Sequence, residues 1–205
     1  INHIFDQTTS LINLASHAET THFITVSGQD ELYLSAKDLG KTYSMMRQSK
    51  QIPDYVTDIC VIGCSGACYS ERNGYFTMDT SFYQNKNLSR ISESPNAFHI
   101  YEHPIFVKDF PWEKESLAFT RAIYQLGTTE IIGVIQICLN KNYLSDLLKS
   151  YKTHQNSHIF IVDSKGALIF PAEEKANHQL FTGYLTDILK NQRSYSNSIA
   201  TVSGE

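Results

Sequence analysis

The segment Asp58 to Ser70, DICVIGCSGACYS, returns in altered form from His158 to Phe170 as HIFIVDSKGALIF. At an offset of 100 residues Ile59 aligns with Ile159, Gly66 with Gly166 and Ala67 with Ala167, while Val61 and Ile62 face Ile161 and Val162. Both copies run a β-branched strand into a tight turn, where Gly supplies a positive φ, and leave through a second strand. The repeat predicts one type of hairpin used twice in the chain.

Three of the four cysteines lie inside the first copy, at Cys60, Cys64 and Cys68, a density that raises the question of a metal. The alignment sets Cys60 on Phe160 and Cys68 on Leu168, positions where a small buried hydrophobe serves, and Cys64 on Ser164 in the turn. A zinc site asks for two close pairs of ligands. Cys138 sits in the middle of its own apolar run, and His99-Ile-Tyr-Glu-His103 places its Glu wrongly for the helical HExxH pattern. No metal is expected, and Cys64 with Cys68 stays open between free thiols and a local disulfide.

From Ile4 to Ile24 the apolar residues keep a helical spacing with no Gly or Pro, which predicts one long helix. Ser27-Gly28 breaks it, and Asp30 is placed to cap a second helix through about Arg47. These helices form either a core hairpin or a stalk that also dimerises. Beyond Pro53 short apolar runs bounded by turn residues predict strands over Val56–Gly63, Ala67–Glu71, Phe98–Phe106, Ser116–Gln125 and Glu130–Leu139. They give a mainly antiparallel sheet of about five strands, with a short helix near Ser81–Gln84 in the polar connection between the second and third. Asn140–Lys152 carries Tyr143, Leu144, Leu147, Leu148 and Tyr151 at helical spacing behind Asn140 as N-cap. Strand character returns over 158–170, helix over 180–189 and strand over 198–202.

A formal charge of −4 without a basic run offers no footprint for nucleic acid or an anionic membrane surface. The longest apolar run, Ile131–Leu139, is far short of the roughly 20 residues that cross a bilayer. Catalysis finds no support either. Cys64 lies in a hairpin turn rather than a nucleophile elbow, Asp163-Ser-Lys-Gly166 reads as turn chemistry, and Glu173-Glu174 as a solvated loop.

The order of helices, hairpin, long antiparallel strands, connecting helix and second hairpin resembles the double-Cache extracellular sensor domain of bacterial membrane receptors. The carriers are the two hairpins and FTRAIYQLGTTEIIGVIQICLNKNYLSDLLKSY, with Arg121, Ile123, Tyr124, Ile132, Gly133, Val134, Leu147 and Leu148 at the distinctive positions. The resemblance implies an α+β fold: a long N-terminal helix followed by two PAS-like modules with antiparallel sheets, the second cut short. It divides the chain into a helical stalk over 1–52, a membrane-distal module over 53–139, a linker helix over 140–157 and a membrane-proximal module over 158–205. The Tyr, Arg, Trp and Asp set of the amino-acid-binding members does not lie onto this chain.

The same resemblance implies an extracellular sensor of a small-molecule ligand, homodimeric through its N-terminal helix, flanked by transmembrane helices, with no cofactor and no catalysis in this segment. A two-component histidine kinase is the expected output. A membrane-anchored helix-turn-helix regulator or a chemoreceptor is the alternative, and a ligand-free dimerisation or protein-contact module the different class. Tyr101, Trp112, Phe119, Arg121 and Tyr124 are the candidate ligand-binding residues, mixing aromatic surface with an Arg able to hold a carboxylate or phosphate bidentately. Alternation puts Phe119, Arg121 and Ile123 on one strand face; the competing reading has Trp112 and Phe119 in the core and Arg121 paired or exposed.

Overall fold

A computed structural model describes residues 2–15, 18–26, 28–78, 91–93, 97–104, 115–125, 127–150, 158–162, 168–171 and 199–202. The chain forms two compact units, Ile1–Asn140 and Lys141–Glu205. The first holds strands β1 (Val56–Gly63), β2 (Ala67–Ser70), β3 (Gly74–Thr77), β4 (His99–Tyr101), β5 (Ser116–Tyr124) and β6 (Ile131–Asn140). All neighbours pair antiparallel, in the order β3-β2-β1-β6-β5-β4. The first and last strands therefore meet at the centre, buried on both faces, which is why VTDICVIG and IIGVIQICLN read as almost unbroken apolar runs.

Six strands replace the expected five. The added one, GYFT, is only four residues long and follows a turn, so its alternation is too brief to register as a strand in the sequence. The strand expected over Phe98–Phe106 is confined to His99–Tyr101; Pro104, which has no N–H to give a ladder, lies just past it. The helix expected near Ser81–Gln84 lies outside the described residues.

Three helical stretches precede the sheet: α1 (Asn2–Ala15), α2 (Ala18–Thr25) and α3 (Gln29–Gln48). The single helix expected over 4–24 is thus described as two stretches, with residues 16 and 17 outside the described residues. The Ala15 carbonyl, at the end of α1, accepts from Thr20 Oγ1 and from the Tyr43 hydroxyl at 3.3 Å. Such acceptors near a helix end need partners when buried. Asp30 is not the cap of α3: Gly28 holds that position with extended backbone, and Asp30 and Glu31 fall in the first turn, where carboxylates favour the free N–H groups.

The helices cover one face of the sheet. Strand pairing puts Ile59, Val61, Leu117, Phe119, Ile123, Ile135 and Ile137 on that face, and all are buried. Fully burying such a side chain stabilises a fold by about 1.5–3 kcal/mol. Phe23 of α2 meets Tyr69 and Tyr75 edge-on at 6.2 and 6.3 Å, and Tyr43 of α3 meets Tyr69 at 5.9 Å. Gly63 and Gly133, directly opposite in the ladder, give Ile24 its seat. A Cβ on Gly133 would stand 2.6 Å from the Ile62 carbonyl and 3.1 Å from Ile24 Cδ1. At the other end Arg47 clamps α3 to the sheet, donating to both oxygens of Glu71 at 2.8 and 2.5 Å and to the Val56 carbonyl at 3.1 Å.

The second unit contains α4 (Lys141–Ser150) and strands β7 (His158–Val162), β8 (Leu168–Phe170) and β9 (Ile199–Val202), in the order β8-β7-β9. The repeat holds in three dimensions. Ile62 pairs with Cys68, and Val162 pairs with Leu168, the same partners at the same offset. One residue further the copies part: Val61 pairs with Tyr69, whereas a register shift gives Ile161 the partner Phe170. In each copy the first strand lies between its hairpin partner and a later antiparallel strand. The turn at Gly166 and the helix expected over 180–189 lie outside the described residues.

Candidate functional site

Opposite the helices, the first sheet presents a second face of different composition. Across its six strands His99, Thr120, Gln136, Cys60, Ser70 and Gly74 stand in register. One step along the strands Tyr101, Ala118, Cys138 and Asp58 form the next row. On the other flank comes an apolar row of Ala122, Val134, Ile62, Cys68 and Phe76. The helix side is mostly Ile, Leu, Phe and Tyr; the rows through Thr120 and Ala118 on the far face instead bring in smaller or polar side chains, Ala118, Cys60, Cys138, Ser70, Thr120, Gln136, Asp58 and His99. Its polar members Asp58, Ser70, Thr120 and Gln136 are nonetheless fully buried.

Burying a polar group is costly unless a hydrogen bond replaces water, so each needs an account. Asp58 has one. Its Oδ1 accepts the backbone N–H groups of Ile59 and Arg72 at 2.9 and 3.1 Å, and its Oδ2 accepts the Ser70 hydroxyl at 2.7 Å and the Cys60 thiol at 3.3 Å. Ser70 Oγ in turn accepts from the backbone N–H groups of Arg72 and Asn73, so the carboxylate fastens the turn between β2 and β3 to the central strand. Burial raises the Asp58 pKa, and these hydrogen bonds oppose the rise.

Two thiols of this face, Cys60 and Cys68, are held protonated. Cys60 is pushed well up, first by its hydrogen bond with Cys138, then by burial and the Asp58 charge. Burial pushes Cys68 up to about 12. Cys64 and Cys68 are free, and they turn to different acceptors: Cys64 Sγ donates to the Ile131 carbonyl at 3.4 Å and Cys68 Sγ to the Gly66 carbonyl at 3.5 Å. Cys60 and Cys68 occupy buried strand positions, as the repeat predicts. Among the described residues no three His, Cys, Asp or Glu side chains gather to hold a metal ion.

Thr120 has no such account. Its Oγ1 is buried and finds no hydrogen-bond partner, and the Tyr124 hydroxyl is in the same position on the same strand face. Between them Ala122 packs with Ile62, Cys68, Val134 and Ile91 into an apolar cluster, against which Phe76, Met78, Tyr124 and Ile131 lie. That cluster closes one flank of the face. Around Thr120 the neighbours in the ladder and along the strand are Ala118, Gln136 and Cys138, with the stacked rings of His99 and Tyr101 on the edge strand beyond. A buried hydroxyl in a patch of small side chains can hold a ligand by hydrogen bonding while the apolar flank contacts its remainder.

The structure divides the five residues singled out from the sequence. Tyr101 and Tyr124 stand on the far face. Phe119 and Arg121 stand on the helix side, where Arg121 Nη1 donates to Asn13 Oδ1 at 2.5 Å and its guanidinium lies 5.3 Å from the Phe98 ring. The strand pleat keeps these pairs apart, so they do not line one site. Trp112 lies outside the described residues. Sequence reasoning passed over Asp58, Thr120 and Gln136, although each interrupts an apolar strand with a polar residue on the same pleat face.

No family model matches the sequence, and no curated protein matches it. Solved structures do. A domain of a sensory box/GGDEF family protein from Vibrio parahaemolyticus is similar at 18% identity with a TM-score of 0.52, covering 95% of this chain and 80% of that one. The extracellular domain of vpHK1S-Z8, a protein assigned to the histidine kinases, is similar at 17% identity with a TM-score of 0.50, covering 96% of this chain and 76% of that one. The ligand-binding domain of the Campylobacter jejuni chemoreceptor Tlp3, solved with L-valine, matches at 14% identity and a TM-score of 0.49, and this chain spans 66% of its length. The likeness is one of fold: the expected α+β architecture, helices first and an antiparallel sheet after them, is shared with these sensory and extracellular domains.

Proposed function

We propose that this chain is an extracellular ligand-sensing domain of a bacterial transmembrane receptor, and that it binds a small molecule on the far face of its first sheet, over Ala118 and Thr120. The observation that carries this reading is the buried, unpartnered hydroxyl of Thr120 among small side chains. An orphan buried polar group costs about 1–3 kcal/mol, which an occupant hydrogen-bonded to Thr120 would recover. The fold shared with sensor domains supports the same reading.

The mechanism we propose is a population shift. A ligand that binds one arrangement of sheet and helices better than another favours that arrangement. Glycine-seated Ile24 and the Arg47–Glu71 clamp tie the helices to the sheet that carries the site, so strain on the far face has a short route to them. Two copies joined through their N-terminal helices would pass the change through flanking transmembrane helices to a cytoplasmic output. A histidine kinase is the output we carry forward, ahead of a helix-turn-helix regulator or a chemoreceptor.

The test is a thermal-shift screen of small metabolites against the wild type and Ala118→Leu, which sets a larger side chain beside Thr120. A compound that raises the melting temperature of the wild type and leaves Ala118→Leu unmoved supports the site. If no compound moves the wild type, a ligand-free interaction module takes its place.

A further inference from the structure

The turn from β2 to β3 carries the one Asn-Gly pair in the chain, Asn73-Gly74. Such a pair can modify itself. The Gly nitrogen, once it has lost its proton to a base, attacks the Asn side-chain carbonyl; the new C–N bond closes a five-membered imide, ammonia leaves, and water then opens the imide to Asp or to its β-linked isomer. Glycine suits the attack because no side chain crowds its nitrogen and its backbone turns freely. Asn73 is exposed, so water and base reach it, and a Cβ on Gly74, where φ is +73°, would meet nothing within 4 Å.

Both reacting ends are nonetheless tied to one residue. Asn73 donates twice to Ser70 Oγ, from its backbone N–H at 3.0 Å and from its side-chain Nδ2 at 3.1 Å. Ser70 Oγ is itself fixed, because its own proton goes to Asp58 Oδ2 at 2.7 Å. The attacking nitrogen is held by the ladder. Met78 N–H donates to the Gly66 carbonyl at 2.8 Å, and in an antiparallel pair the hydrogen-bonded partners recur at every second residue, so Ser70 and Gly74 form the last such pair and the Gly74 N–H donates to the Ser70 carbonyl. Ring closure must turn the Asn73 side chain off Ser70 and free the Gly74 nitrogen from the same residue.

We infer that Asn73-Gly74 is a deamidation site that Ser70, anchored by Asp58, holds closed. The gate works in one direction only. After reaction a carboxylate replaces the Nδ2 donor, and Ser70 has no second proton to offer it while Asp58 keeps the first. The new charge also stands one hydroxyl away from the buried Asp58 carboxylate. A turn that has opened and reacted does not close again as it was, and the edge strand β3 loses its fastening to the central strand.

Peptide mapping by mass spectrometry after timed incubation at mildly alkaline pH reads the fraction of Asn73 converted. The native wild type should convert at least about tenfold more slowly than the same protein in guanidinium chloride, since two or more hydrogen bonds must open first. Ser70→Ala removes the acceptor of both Asn73 bonds and should raise the native rate by about tenfold, whereas Ser70→Thr, which keeps the hydroxyl, should stay slow. Asp58→Asn, which loosens Ser70 without removing it, should fall between. Gly133→Ala is destabilised away from the turn and keeps Ser70 in place, so it should stay near the wild-type rate.

If the native wild type converts as fast as the denatured chain, the site is not held closed. If Ser70→Ala stays as slow as the wild type, or Gly133→Ala is accelerated as much as Ser70→Ala, the protection belongs to the fold at large and Ser70 is not the gate. Should Ser70→Ala fail to fold, Asp58→Asn against Gly133→Ala decides the same question: equal rates overturn the inference, and a faster Asp58→Asn supports it.

Discussion

Arg121 reaches across from β5 to α1, where its Nη1 donates to Asn13 Oδ1 at 2.5 Å. The contact is exposed, so its worth to stability is small, about 0–1 kcal/mol. Arg121→Ala should therefore lower the melting temperature by at most about 4 °C in a domain of this length. It should leave the affinity of any far-face ligand unchanged, because the residue stands on the opposite side of the sheet. Titration of the variant beside the wild type checks both; a large loss of affinity would return Arg121 to the site.

Asp58 supplies a pH dependence whose sign follows from its surroundings. Burial raises its folded pKa above the value of about 3.9 for a free Asp. The folded state then holds the proton more tightly than the unfolded chain does. The group's contribution to stability is therefore greatest below the ordinary range and declines as pH rises through the folded pKa. Urea denaturation at several pH values should show the wild type losing stability relative to Asp58→Asn across that window, with a flat difference above it.

The same substitution has a cost of its own. An Asn at this position turns an NH₂ toward two of the four donors that now face Asp58, and buried donors without acceptors cost about 1–3 kcal/mol. A measured loss in that range at neutral pH is expected, and an Asp58→Asn protein as stable as the wild type would contradict the fastening role.

Gly133→Ala tests the seat of Ile24. The new methyl would lie 2.6 Å from the Ile62 carbonyl, a backbone atom that cannot swing away. Overpacking of this kind costs about 1–3 kcal/mol, read as a lower denaturation midpoint. Retention of the wild-type midpoint would mean that β1 and β6 can part enough to admit the methyl and that Ile24 is not tightly seated.

Thiol chemistry should separate Cys64 from the other three cysteines. Cys64 is exposed in the turn after β1, whereas Cys60, Cys68 and Cys138 are buried. Titration with an aromatic disulfide reagent should modify one thiol in the native protein and the remaining three only in denaturant. Rapid modification of the buried ones would show that the far face opens freely.

Much of this fold is legible in the sequence because the repeat carries it. A hairpin copied at an offset of 100 residues fixes two strand pairs, and both close on the corresponding residues, Ile62 with Cys68 and Val162 with Leu168. β3 is not legible, because four residues cannot display a period. The site is harder for a specific reason. Alternation along SLAFTRAIY separates Phe119 and Arg121 from Ala118, Thr120 and Tyr124, but nothing in the strand says which set the helices will cover. That choice is made by Phe23, Ile24 and Tyr43, residues far away in sequence. The aromatic and cationic residues drew attention, while the informative signal was quieter: Asp58, Thr120 and Gln136, polar residues inside strands buried on both faces.

The claim that a ligand occupies the far face is tested most directly by methyl NMR of protein labelled at Ala, Thr and Ile, titrated with whichever compound the thermal screen returns. The account predicts the largest shifts at the methyls of Ala118, Thr120 and Ala122, with those of Ile59, Ile135 and Ile137 on the helix side moving least. Largest shifts at the three isoleucines, with Ala118 and Thr120 still, would contradict it.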